Sequence, residues 1–415
     1  MKKIVFLTAS ILWLMSLSAC SNYEETDSSL TPPLTRSGIN QNKSTLSTSE
    51  AVEIANEVLK RTSGEISEIN VTPLLSDGSS YKGMVCDTIA YIINYGDKEG
   101  FAVVVNDRRV TSPIAYNKKG ELTNAPSFIK AAFLDNIPNY LYSLNFKEAA
   151  NSEGNVKGSP SRRLIIEPER DVPVDGFYPF TKKITEVYGS KYAGNCVYGV
   201  VIGLSHCAKD LVFEGYSYHF PQMIDDLHKG PDGDNFIGLN SDVAIGVPTP
   251  IDPTMPVEFL AGYQGSIDAY NQLFYDVARA IDTDYSLEDR IQSNPLKALG
   301  LYNKLGFKVE PINFAFDLTS IVERLYDGYI VNLLLSYGPK EAGQTVPKEI
   351  LGAFLPVVAG CDVNMGADGT VSSGYLYLTG AFGYDLNGYY DMDLLINTNL
   401  YKLTTIAWLP VKIED

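Results

Sequence analysis

Asn195-Cys196-Val197-Tyr198-Gly199-Val200-Val201-Ile202-Gly203-Leu204-Ser205-His206-Cys207 is the stretch whose reading decides the fold. It is apolar all round with glycines four apart, and Asn195 stands where a polar helix cap is expected. The pattern predicts a buried helix carrying Cys196 in its first turn. Unpaired backbone N–H groups converge there and the helix dipole is positive, which lowers a thiol's pKa and suits a developing oxyanion. Cys207 lies near the same helical face, but about 16 Å along the axis, beyond disulfide reach while the helix persists. A thiolate that cleaves amides also needs an imidazole within hydrogen-bond reach and a third group that holds its tautomer. Those partners must come from elsewhere in the chain.

The chain opens with Met1-Lys2-Lys3 and an apolar run from Ile4 to Leu17, too short to span a bilayer and flanked like a signal peptide. Leu17-Ser18-Ala19-Cys20 resembles a bacterial lipobox, which implies cleavage before Cys20, lipidation of Cys20 and a membrane anchor at the mature N-terminus. An ordinary secretory signal that happens to contain Cys20 is the alternative. The acidic pair in Ser21-Asn22-Tyr23-Glu24-Glu25 resembles the surface-export tether of Bacteroidetes lipoproteins. The expected location is the cell envelope, on the outer membrane, with either face open. The 33 basic and 50 acidic residues leave a net charge of −17, with no basic patch interleaved with aromatics, so nucleic acid is not an expected partner. With Cys20 lipidated, Cys86, Cys196, Cys207 and Cys361 remain, too sparse for a disulfide scaffold. There is no zinc-ligand spacing or phosphate loop, and no cofactor is expected.

Residues 1–20 thus read as a signal peptide and 21–45 as a polar tether. A first domain, 46–146, starts at the capping box Ser47-Thr48-Ser49-Glu50. Apolar residues at helical spacing follow, then strands alternating at Ile89, Tyr91, Ile93 and Tyr95, then Phe101–Val105, Val110–Tyr116 and a helix from Ser127 to about Leu144. Residues 147–175 read as a linker, with Arg162-Arg163 either a processing site or plain linker. The second domain, 176–415, is helical first, around Asn195–Cys207, Ile267–Ala280 and Pro295–Leu305, with a loop through Gly215-Tyr216-Ser217-Tyr218. After Leu318–Leu325 it turns to strands at Tyr329–Tyr337, Phe354–Ala359, Tyr375–Thr379, Tyr389–Leu395 and Thr405–Val411. Helices first and an antiparallel sheet second make the fold class α+β.

Ser49-Glu50-Ala51, then Gly100-Phe101-Ala102-Val103-Val104-Val105-Asn106-Asp107-Arg108-Arg109, then Pro113-Ile114-Ala115-Tyr116 with Gly120, resemble the propeptide of the streptopain family of cysteine peptidases. That domain also occurs as a free-standing inhibitor, and in the family it covers the active-site cleft until it is cut away. The second domain resembles the peptidase itself, a papain-like fold. The match runs through Asn195-Cys196-Val197, Leu299–Phe307, Leu318–Gly328 leading into Tyr329-Ile330-Val331-Asn332, and Asn387-Gly388-Tyr389-Tyr390. The resemblance implies that Cys196 is the nucleophile position. It also implies a histidine in a run before a strand ending Asp-Gly, and an Asn-Trp pair on the following strand. Counting back from Gly360 puts Phe354 at the histidine, and counting back from Asn387-Gly388 puts Thr379 and Gly380 at the pair.

The chain's other histidines are poor substitutes. His206 is ten residues along the helix of Cys196, about 15 Å away. His219, in an aromatic stretch, reads as packed or capping, and His228 as a solvated helix end. Loss of the histidine costs a serine triad on the order of 10⁶ in turnover, and a thiol enzyme still needs a proton donor for its leaving amine. The acidic pairs Asp225-Asp226, Asp282 with Asp284 and Asp391 with Asp393 give no sign of flanking a glycosidic cleft. The 27 tyrosines suit a binding groove as well as a sheet surface. The sequence therefore predicts an envelope lipoprotein of the streptopain type, without catalysis. It would bind a peptide or a protein, a peptidase among the candidates, or act as a peptidase inhibitor. The alternatives are an active cysteine peptidase whose base has moved to His219, and a glycan-binding surface lipoprotein.

Overall fold

The computed structural model describes residues 45–60, 68–75, 88–122, 137, 141, 162–231, 257–258, 262–287, 290–314, 317–340, 352–380, 383–391 and 400–412. Helix α1 (Thr48–Leu59) starts at the expected capping box: Ser47 Oγ accepts from the Glu50 N–H, and the Glu50 carboxylate accepts from the Ser47 N–H at 2.7 Å. Strands β1 (Ile69–Leu75), β2 (Thr88–Tyr95), β3 (Phe101–Val105) and β4 (Ala115–Asn117) follow as an antiparallel meander. Of the helix expected over Ser127–Leu144, only Ile137 and Leu141 are described, both helical.

The next elements are β5 (Arg162–Ile166), α2 (Lys182–Tyr188), α3 (Asn195–Cys207), β6 (Asp210–Phe213), β7 (Tyr216–His219), α4 (Phe220–Lys229) and β8 (Val257–Glu258). After them come α5 (Tyr263–Ala280), β9 (Asp284–Leu287), β10 (Arg290–Gln292), α6 (Pro295–Lys304) and α7 (Leu318–Tyr326). The chain then turns to β11 (Tyr329–Lys340), β12 (Gly352–Phe354), β13 (Val357–Met365), β14 (Val371–Thr379), β15 (Gly388–Asp391) and β16 (Leu400–Lys412). The architecture is the α+β mixture that the segregated patterning implies. None of the described helices is long and apolar enough to cross a membrane.

Two local expectations are corrected. Asn195 is not the cap of α3 but its first residue. The cap is Gly194 at φ 90°, where a Cβ would lie 2.7 Å from Ile291 Cγ2, so both conformation and space require glycine. Within Gly215–Tyr218, read as loop, Tyr216–Tyr218 is instead the start of β7, paired with β6. Its turn, Glu214-Gly215, has φ 50° and 83°, the two positive values of a tight hairpin turn. Glutamate in place of the usual Asn or Asp hid that turn.

The two sequence-defined units share one sheet. Eleven strands lie in it, running β1-β2-β3-β4-β15-β14-β13-β11-β12, with β16 on β11 and β5 on β13. The join is the antiparallel pairing of β4 with β15, Tyr116 opposite Tyr389 and Ala115 opposite Tyr390. Around it, Tyr116 stacks on Tyr389 at 5.1 Å and meets Tyr375 edge-on at 5.1 Å. Tyr116 also donates to Asp362 at 3.0 Å, and Tyr375 donates to the Pro113 carbonyl at 2.7 Å. Asp362 is held from its other side by a two-pronged Arg163 contact at 2.7 and 2.6 Å. Part of the stretch read as linker is thereby a strand, with Arg162–Ile166 laid along Met365–Cys361.

One face of the sheet carries α1 over the first unit and the helices α2–α6 over the second. On the other face a single core runs through both units, from Phe101, Val103 and Ile114 to Val331, Phe354 and Trp408, with α7 packed on it. Helix α3 lies on the sheet at backbone distance. A Cβ on Gly199 would sit 1.9 Å from the Leu355 carbonyl oxygen, and one on Gly203 would sit 1.9 Å from the Tyr302 hydroxyl. Gly199→Val is therefore expected to cost about 3 kcal/mol or more in urea unfolding. Gly300→Ala, in α6 with no atom within 4 Å of the new Cβ, is expected to be neutral or to gain up to about 1 kcal/mol.

Candidate functional site

The first turn of α3 is roofed by aromatic side chains. The Tyr192 hydroxyl donates to the Asn195 amide oxygen, and the Tyr285 hydroxyl donates to the Ala193 carbonyl at 2.8 Å. Phe177 packs on Tyr192 with ring centroids 4.5 Å apart. All of α3 is buried, and Cys196 is 0 % exposed. Its sulfur is in a disulfide, whereas Cys207 and Cys361 are not disulfide-bonded. The expectation of a lone thiol at the helix start is thereby overturned. Cys361 is inert for a different reason: burial pushes its thiol up to about 12.

The wall facing α3 differs from the one expected. Phe354 pairs with Leu335 and lies in the core on the α7 face of the sheet, whereas Cys196 belongs to the core on the opposite face. Leu355 is the residue that meets α3, through its backbone at Gly199. The alternation holds from Phe354 to Ala359, with Leu355, Val357 and Ala359 on the α3 face, and the register shift between Val358 and Gly360 then turns Cys361 and Val363 to the α7 face, so a count back from Gly360 crosses a reversal of facing. Gly380, at φ 72°, does lie against α3, where a Cβ would be 2.9 Å from Ile202, six residues past Cys196. Thr379 is buried and opposite Val357, which is itself opposite Asn332. Among the described residues, Thr379 Oγ1, Asn332 Nδ2 and Ser336 Oγ have no hydrogen-bond partner. Asn332 and Ser336 were not singled out in the sequence. Their signal is a polar residue every fourth position in the apolar run Tyr329–Tyr337.

All three histidines sit by the far end of α3. His206 is in its last turn, and burial, then the Arg170 charge, push its imidazole down to about 3. His219 pairs with Asp210 at 2.6 Å, and the next residue, Phe220, donates to the Lys209 carbonyl just past the helix. His228 Nε2 contacts the Asp171 carbonyl at 2.7 Å, and the adjacent Arg170 donates to the last carbonyls of α3, those of Ser205 and Ala208. Cys196 is at the other end, about 15 Å along the axis from His206.

The acidic pairs are structural. Asp225 pairs with Lys229, and Asp226 accepts from the Gly262 N–H at 2.8 Å and from Ser266, capping α5 from outside. Asp282 pairs with Lys297, Asp284 closes its own turn on Ser286, and Asp393 lies outside the described residues. Asp276, within the helix expected over Ile267–Ala280, is a buried carboxyl that the sequence pattern does not mark. Burial raises it to about 6, opposed by a 2.7 Å hydrogen bond from Gln272. A groove of about 310 Å³ between Arg324, Glu310, Asp317 and Trp408 lies on the α7 face, away from Cys196. Among the described residues no group of three His, Cys, Asp or Glu is arranged to hold a metal ion. Cys20 lies outside the described residues.

Residues 43–139 match the family model described as Spi protease inhibitor. None of the curated proteins compared with the chain matches it. The matched region spans α1 and β1–β4, so the chain carries an inhibitor-type region whose last described strand is paired to the rest of the same chain. That docking depends on Tyr116 and Asp362. Tyr116→Phe is expected to lower stability by about 1.5 kcal/mol in urea, and Asp362→Ala by more, since it strips Tyr116 and Arg163 together. Asp276 gives a pH signature. Its folded pKa is raised, so its contribution is fully present below about 3.8 and is lost as pH rises through about 6. Asp276→Asn should match wild type in melting temperature near pH 4 and exceed it at pH 8, by roughly 2 kcal/mol.

Proposed function

We propose that this chain is a peptidase-related lipoprotein of the cell envelope, anchored through Cys20. Its second unit keeps a streptopain-like layout without the chemistry, and it works by binding a peptide or protein. The observation that supports this reading is the separation of Cys196 from every imidazole in the chain. All three histidines are grouped at the C-terminal end of α3, and the cysteine is at the N-terminal end. A general base must reach the thiol within one hydrogen bond or one water, and about 15 Å is five times too far. The same placement counts against His219 as a relocated base.

The inhibitor-type region is engaged in cis. Strand β4 uses its outer edge on β15, so that edge is not offered to a second protein while the chain stays closed. This supports a self-docked unit over an inhibitor acting in trans.

The deciding measurement is casein hydrolysis by the full chain, reduced with dithiothreitol and cut between the two units. The expected result is no turnover, unchanged by Cys196→Ala. Hydrolysis that disappears in Cys196→Ala would overturn the reading. Loss of thiol-directed inhibitor labelling in His219→Ala would establish the relocated-base alternative.

A further inference from the structure

We propose that the Arg163–Leu164 bond is a proteolytic site gated by docking, closed to an arginine-specific endopeptidase while the inhibitor-type region is seated on β15 and opened when that region leaves. The bond lies inside β5, whose residues Arg162–Ile166 pair with Met365–Cys361 of β13. A peptidase takes its substrate as an extended strand laid along its own cleft, so a bond already paired on β13 must first peel away. Strand β5 has little of its own to resist that. None of its five residues is fully buried, and Ile165 is 46 % exposed. The resistance comes from neighbours.

Two carboxylates supply it, and the inhibitor-type region completes the contacts of both. Asp362 on β13 accepts from Arg163 of β5 at 2.7 and 2.6 Å and from Tyr116 of β4 at 3.0 Å. Asp171, beyond the end of β5, accepts from Lys119 of the first unit at 2.6 Å and from Tyr384 at 3.0 Å. The Asp171 carbonyl also meets His228 Nε2 at 2.7 Å. The connecting segment is thus clamped at both ends. Undocking removes Tyr116 and Lys119 together. Asp362 is buried while Tyr116 covers it, and once that ring is gone its pair with Arg163 meets water. An ion pair in water stabilises little, so β5 peels more readily. The order is undocking, peeling, then cutting. Hydrolysis adds water across the amide and leaves a carboxylate on Arg163 and an ammonium on Leu164. Arg163 then stays with the first unit's fragment, β5 is split, and undocking becomes one-way. The gate works whether or not the second unit binds a peptide, and its test reads cleavage of this chain rather than turnover by it.

The experiment exposes the full chain, folded, to an arginine-specific endopeptidase and counts new N-termini by mass spectrometry at early times. The Arg279–Ala280 bond inside α5 is the internal measure of global opening. Tyr116→Phe alters no residue of β5 or β13, and it is expected to raise cutting at Arg163–Leu164 roughly tenfold, because cleavage tracks the open population. Lys119→Met, which removes a more exposed pair, should raise it roughly twofold. Gly360→Ala should open the bond with the first unit still docked, since a Cβ there would press on the Ile166 carbonyl. A rate at Arg163–Leu164 that Tyr116→Phe leaves unchanged, or raises only in step with Arg279–Ala280, would overturn the gate. So would a wild type cut there as fast as Gly360→Ala. Because the readout is a ratio to Arg279–Ala280, a variant that folds poorly is recognised as such.

Discussion

The pairing of β4 with β15 is two residue pairs long, yet the shared core depends on it. A strand edge left open exposes unpaired N–H and C=O groups and invites pairing with another chain. Here each unit covers the other's edge. The pairing also fixes register, and register decides which side chains meet. With Tyr116 opposite Tyr389, the phenol of Tyr116 comes to Asp362, a residue 246 positions away. Asp362 then draws Arg163 and with it β5 into the sheet. A charge buried with two partners is sound only while both remain, so the inhibitor-type region, the connecting strand and the second unit are coupled through one carboxylate.

Helix α3 imposes the second constraint. Its glycines let the helix backbone approach the Leu355 carbonyl, and its length separates two environments. The N-terminal end holds a disulfide-bound sulfur under an aromatic roof. The C-terminal end gathers Arg170 and the histidines, which suits a helix terminus rich in bare carbonyls. Arg170 is the cation that suits that end, while His206 is held neutral by burial, and the distance of the imidazoles from Cys196 follows from the length of α3 and the elements packed at its C-terminal end.

The α+β class, the extent of α3 and the capping box of α1 were legible because each rests on local pattern: apolar periodicity, cap residues, segregated elements. What was not legible is non-local. The continuous sheet follows from two short strands whose own sequences say nothing of partner or register. The Glu214-Gly215 hairpin escaped because the backbone, not residue preference, sets its turn. The Cys196 disulfide escaped because spacing excludes only cysteines too far apart on one helix and says nothing of those on other segments. Phe354, reached by counting back from Gly360, lies on the other face from Cys196, since the irregular register between Val358 and Gly360 inverts the alternation on which such counting relies.

That last failure bears on how far a motif around a nucleophile can be carried. Gly194 is required by its φ and by Ile291, Gly199 by Leu355, and Gly203 by Tyr302. Each of these contacts is packing, and each would be needed whether or not Cys196 ever attacked a carbonyl. A run such as Asn195–Cys207 therefore specifies how a helix seats on a sheet. Chemistry needs side chains from β12–β14 to face that seat, and their facing is decided by the strand register and its shift between Val358 and Gly360. The wall presents Asn332, Val357 and Thr379 in a row, with no group that can take a proton at neutral pH. Sequence likeness at the helix and absence of a base at the wall are thus compatible, because they are fixed by different residues obeying different constraints.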